Sequence, residues 1–134
     1  MNITIFSIGE RALRSSVINW NTNNIKMALV SKEGFSLLNK NINNIKYLKS
    51  SFITTKSVIG KTVQITESEL IFTCDDVIFK KFDDKQDVYA IVIYCDDFNI
   101  PICYWDYSDN VMFNTSNTNK IVISMNGGNI RVTY

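Results

Sequence analysis

The chain has no histidine, so it lacks the commonest general base and the commonest transition-metal ligand. Its three cysteines, Cys74, Cys95 and Cys103, contain no CxxC pair, and an odd count argues against a disulfide framework. They read as small core hydrophobes in strands. No apolar run approaches the roughly eighteen residues of a membrane-spanning helix, so no membrane segment is expected. The opening MNITIFSIGERALRSS has no basic residue ahead of its short apolar run, and Glu10 and Arg11 interrupt it. It is not expected to act as a secretory signal, which points to a reducing cytoplasm during assembly. No strand, glycine-rich loop and helix unit is present to hold a nucleotide, and no D-x-D-x-D-G calcium loop occurs. A serine nucleophile would have neither histidine nor a Ser-x-x-Lys lysine to activate it.

Proline occurs once, at Pro101, while isoleucine, asparagine and lysine are abundant, a composition that AT-rich coding produces. Charge is balanced overall at +1 but uneven along the chain. Residues 1–61 carry nine Lys/Arg against Glu10 and Glu33; residues 62–109 carry eleven Asp/Glu against Lys80, Lys81 and Lys85. Solvated loops of opposite sign are one reading. A dipolar module that docks on complementary neighbours, including copies of itself, is the other. The basic residues are dispersed, so no nucleic-acid partner is expected.

At 134 residues the chain reads as a single domain, 1–134. An amphipathic helix is predicted within 4–19, best placed at about 9–18, with Ile5, Ile8, Ala12, Leu13 and Val17 on one face. An asparagine-rich turn after Trp20 leads into IKMALV, a strand with Ile25, Met27 and Leu29 on one face and Lys26, Ala28 and Val30 on the other. Trp20 is assigned a structural role, pinning the entry to that strand. Residues 31–51 have no clean period and read as an irregular insertion, with helical turns near Phe35–Leu38 and Ile42–Leu48.

From residue 52, short strands and turns recur. Gly60-Lys61 marks a bend or bulge, and ELIFTCDDVIF holds two strand segments. VYAIVIYC, residues 88–95, is an almost unbroken apolar run, as suits a strand covered on both faces. Pro101 starts the next strand. KIVISM and NIRVTY flank Asn126-Gly127-Gly128, predicting a hairpin with Ile121, Ile123 and Met125 facing Ile130, Val132 and Tyr134. Gly127 and Gly128 are structural residues of its turn. The fold class predicted is mainly β: an antiparallel β-sandwich, immunoglobulin-like or jelly-roll-like, with a short N-terminal helix.

Two groups of residues compete for a functional role. The acidic doublets Asp75-Asp76, Asp83-Asp84 and Asp96-Asp97, with Asp106 and Asp109, could bind calcium or perform acid–base chemistry, but doublets at strand ends are commonly solvated turn residues. The stretch CYWDYSD gathers Tyr104, Trp105 and Tyr107, with Phe98 and Phe113 nearby. Its rings could fill the core, line a subunit interface or stack on a sugar. Trp105 is assigned to the core. The interface candidates are Phe35, Leu38, Tyr47, Tyr104, Tyr107 and Phe113.

A collinear series of segments resembles a broad group of small tailed-bacteriophage virion structural proteins. NWNTNNIKMALV matches the type W-x-T-D-x-I-K-V-A-L at Trp20, Thr22, Ile25, Lys26, Ala28 and Leu29. Gly60–Val63 matches G-K-T-V, CDDVIF matches A-D-D-V-x-W/F, and VYAIVIYCDD matches R-Y-A-V-I-Y-x-D. PICYWDYSD matches P-L-I-G-W-W-D-Y-G, and NGGNIRVTY matches the closing turn and strand. The usual S-Y-T-P loop is missing from 31–51, and G-Y-T-A-G-G is reduced to FITTKSVIG. The resemblance spans about residue 8 to the end and brings no catalytic residues with it. It implies a non-enzymatic β-sandwich component of the particle, as capsid decoration or a head-fibre-associated protein, or as a neck or tail part. It also implies other virion proteins (capsid, portal, neck or tail) and copies of itself as partners, location in the virion and no cofactor. A carbohydrate-binding host-attachment module is the competing function.

Overall fold

The computed structural model describes residues 1–80, 82, 86–116, 119–125 and 130–133. Over these described residues it is mainly β, with antiparallel sheets, two short α-helices and one 3₁₀ turn. The largest sheet has five strands in the order β1 (Asn2–Ile5), β9 (Ile100–Asp106), β8 (Ala90–Cys95), β2 (Ile25–Val30) and β3 (Phe52–Ser57). A three-stranded sheet is ordered β12 (Ile130–Thr133), β5 (Glu69–Thr73) and β4 (Thr62–Ile65). Two pairs complete the set: β11 (Lys120–Ile123) with β6 (Val77–Lys80), and β10 (Phe113–Asn114) with β7 (Asp87–Val88).

The central strands β2 and β8 are apolar on both sides because both sides are covered. Met27, Leu29, Ile91, Ile93, Cys103 and Trp105 face one cluster, which Phe72, Phe79, Ile121, Ile123, Ile130 and Val132 of the smaller sheets complete. Ala28, Val30, Ala90, Val92 and Tyr94 face a second cluster. Its cover is the segment 31–51, which forms α2 (Lys32–Leu37) and a 3₁₀ turn (Lys46–Ser51) and buries Ile45 and Leu48, joined by Phe6 and Ile8 from the amino-terminal segment. Alternation sorts the side chains of β2 as the sequence predicts, and every residue of β8 is buried.

The amino terminus departs from the predicted helix. Residues 2–5 form β1, in register with β9 from Asn2 opposite Asp106 to Ile5 opposite Cys103. The consecutive β-branched residues Ile3, Thr4 and Ile5 suit a strand edge. The helix α1 occupies Ser7–Arg14, earlier and shorter than 9–18. It stops because Ser16 takes a left-handed φ of 64°, and Val17 is left exposed. Phe6 N–H donates to the Ile102 carbonyl at 2.9 Å, so α1 takes over the edge of β9 where β1 ends. Gly9 permits the close approach: a Cβ there would lie 2.3 Å from the Pro101 carbonyl oxygen.

The carboxy-terminal strands also differ from prediction. β11 pairs with β6 and β12 with β5, so the two belong to different sheets and are not the arms of one hairpin. Ile121, Ile123, Met125, Ile130 and Val132 all enter the same core, which explains the shared alternation without direct pairing. Gly127, Gly128 and Tyr134 lie outside the described residues. Pro101 is the second residue of β9 and not the first; the register with β8 shifts opposite it, between Ile93 and Tyr94. A bulge tolerates the missing N–H. Gly60, at φ 64°, turns the chain out of β3 toward β4; a Cβ on it would meet the Asp75 carboxyl group at 2.2 Å.

Candidate functional site

The asparagine turn before β2 is a structural joint. Trp20 is 2% exposed, meets Phe72 edge-on at 5.6 Å between ring centroids, and donates from Nε1 to the Thr73 carbonyl at 3.0 Å. The polar residues after it reach the other way. Asn24 donates to Asp97 from its backbone N–H at 2.9 Å and from Nδ2 at 3.1 Å, and Asn23 adds Nδ2 at 3.1 Å. Asp97 belongs to the turn between β8 and β9. The Asn24 backbone N–H, helped by the two side-chain amides, holds the Asp97 carboxyl below the ordinary carboxylate range.

Its neighbour Asp96 is bound by two ammonium groups, Lys49 at 3.0 Å and Lys26 at 3.3 Å. The Lys49 hydrogen bond depresses its pKa most, partly opposed by burial. Lys49 also lies 5.5 Å from the centre of the Tyr94 ring. Antiparallel pairing of β2 with β8 therefore sets a basic stretch of the sequence beside an acidic one. Arg131 pairs with Glu69 at 2.7 Å between β12 and β5. Charges that are segregated along the chain are partly neutralised inside the fold.

The remaining acidic side chains divide by exposure. Asp106 is 7% exposed; it accepts from the Ser108 backbone N–H at 2.8 Å and from Asn2 Nδ2 at 3.3 Å. Asp75 and Asp76 are exposed where β5 leads into β6. Asp109 is exposed in a turn with φ 69°, and Asp83 and Asp84 lie outside the described residues. Among the described residues no three of His, Cys, Asp and Glu gather where they could hold a metal. The cysteines are buried and unpaired. Burial, reinforced by Asp75 and Asp76, pushes the Cys74 thiol up to about 11, and burial raises Cys95 and Cys103 as well. A protonated thiol is a poor nucleophile.

The six interface candidates do not converge. Phe35, Leu38 and Tyr104 are half-buried around the second cluster, Phe35 lying 6.2 Å from Tyr89 and Tyr104 lying 5.2 Å from Phe6 between ring centroids. Phe113 is half-buried against the first cluster. Tyr47 is 83% exposed and Tyr107 40% exposed. Trp105 is 1% exposed, so of the aromatic trio in CYWDYSD only Tyr107 stands in solvent.

A feature that pattern reading passes over is a recess of about 550 Å³ between β3 and β6. Lys56, Ile59, Asp76, Ile78 and Lys80 are among its lining. It arises where two strands distant in sequence run side by side without pairing, which no local pattern encodes. The one available signal is the polar, β-branched stretch Thr54-Thr55-Lys56, suited to an edge strand.

Against known proteins, no protein-family model, no curated protein and no solved structure matches this chain.

Proposed function

We propose that the chain is a non-enzymatic structural component of a tailed-bacteriophage particle, an auxiliary or decoration capsid protein or a head-fibre-associated protein that binds other virion proteins. The observation that carries this reading is the collinear series of phage-like segments. They fall on β2, β4, β6, β8 and β9 and on the bend at Gly60, positions that build the framework of the sheets. The chemistry of the acidic groups fits a binding protein: Asp96, Asp97 and Asp106 are spent on holding turns and strand ends. The neck or tail remains the alternative position in the particle. Stacking on a sugar finds less support, because Trp105 is buried and Tyr104 packs on Phe6.

Mass spectrometry of particles purified from cells that make the protein tests the proposal. The chain is expected in fixed stoichiometry with the major capsid or tail proteins. Its absence from intact, washed particles would overturn the reading.

A further inference from the structure

The recess between β3 and β6 brings two open strand edges together. Among the described residues β3 bonds to β2 alone and β6 to β11 alone. The two are tied at one end, where Asp75 N–H donates to the Ile59 carbonyl at 3.0 Å. Val58 N–H donates to the Ile25 carbonyl at 2.8 Å, which fixes the phase of the β2–β3 ladder. Thr54 and Lys56 then bond inward, and Thr55 and Ser57 turn their N–H and C=O groups outward. Thr55 and Ser57 are exposed residues that line the recess.

The charges select what such an edge accepts. Lys56 and Lys80 line the recess, and neither makes an ion pair among the described residues. Asp76 stands at the tied end. Edge lysines discourage indiscriminate strand pairing. A second copy of β3 would bring Lys56 toward Lys56, so the same edge of another copy is a poor occupant. A segment with carboxylates at alternate positions would instead neutralise both lysines while its backbone bonds to β3.

We propose that the β3–β6 recess receives an extended acidic segment of a partner polypeptide, which adds as a strand along β3 and sets its carboxylates against Lys56 and Lys80. The proposal rests on the reading of the chain as a protein-binding component, not on the partner's place in a virion.

The intact chain is titrated with the capped synthetic peptide Thr-Glu-Val-Glu-Val-Thr, and separately with its counterpart carrying Lys for Glu. Amide hydrogen exchange is read by NMR. The acidic peptide is expected to slow exchange at Thr55 and Ser57 by about tenfold near 1 mM, and the basic one to leave it unchanged. Lys56→Glu combined with Lys80→Glu, both at exposed positions, is expected to reverse the preference. Should that variant fold poorly, added salt must weaken binding of the acidic peptide to the unaltered chain. No slowing with the acidic peptide, equal slowing by both, or indifference to charge reversal or salt overturns the proposal. Such a result leaves the virion reading standing, and absence from purified particles would leave peptide binding intact.

Discussion

The two faces of the five-stranded sheet are buried by different means. Regular strands cover one, bringing Phe72, Phe79, Ile121, Ile123, Ile130 and Val132 onto Met27, Leu29, Ile91 and Ile93. The other is covered by a thin, irregular segment, whose Phe35, Leu38 and Ile42 remain partly exposed around Ile45 and Leu48. The first face is a shared core built from many parts of the chain, so opening it requires global unfolding. The second depends chiefly on one local segment, with Phe6 and Ile8 beside it, and that segment can open at a lower free energy than the whole.

The largest effect follows from breaking the first face at Trp20. Its ring is buried between the turn before β2 and the end of β5, and its N–H reaches the Thr73 carbonyl. Trp20→Ala should lower stability by about 3 kcal/mol, the usual cost of truncating a large buried aromatic. Denaturant unfolding followed by circular dichroism measures it; an unchanged midpoint would contradict the placement. Leu48→Ala should cost about 2 kcal/mol on the other face. Its distinctive sign is local: amides in 31–51 should exchange faster, while those of β8 keep most of their protection. Uniform loss across both regions would show that the two faces open as one unit.

A smaller effect tests the bend that carries the chain from β3 toward β4. Gly60→Ala places a Cβ in a left-handed conformation against Asp75. The backbone preference alone is worth about 1–2 kcal/mol. In an Asp75→Ser background the steric part of the cost should shrink, so a double-mutant cycle separates strain from clash. Additive costs would assign the whole effect to the backbone.

This contrast between the faces also explains what the sequence made legible. β8 stands out as a continuous apolar strand with both sides covered, β2 as an apolar strand broken only by Lys26, and Trp20 stands out beside a polar turn. β1 was masked by a helix-like spacing from Ile5 to Leu13, because α1 continues along the same sheet edge. The partners of β11 and β12 differ from the predicted hairpin because alternation reports which side chains are buried and is silent on which strand lies alongside. Nothing near Asn23 and Asn24 indicates that their partner is Asp97, far along the chain. The β3–β6 recess is equally non-local. Pairings across the fold, and the candidate site they create, depend on topology that periodicity does not contain.

The smallest effect concerns the link that fastens the irregular cover to the sheet. Lys49 belongs to the 3₁₀ turn and Lys26 to β2, and both hold Asp96. The groups are part-exposed, so the linkage is worth about 0.5 kcal/mol. Its pH dependence has a defined sign. The folded-state pKa of Asp96 lies below its ordinary value of 3.8, chiefly through Lys49. The folded protein therefore favours the carboxylate more than the unfolded chain does. The stabilisation is fully present above the ordinary pKa and is lost as pH falls through the depressed folded value. Asp96→Asn should thus be less stable than the unaltered chain near neutrality, with the gap closing in acid below about pH 4. Amide exchange in 31–51 should respond more than exchange in β5, since the cover is what Lys49 anchors. A gap that widens in acid would reverse the assigned sign, and an equal response in β5 would show that Asp96 serves the whole fold and not the attachment of its thinner face.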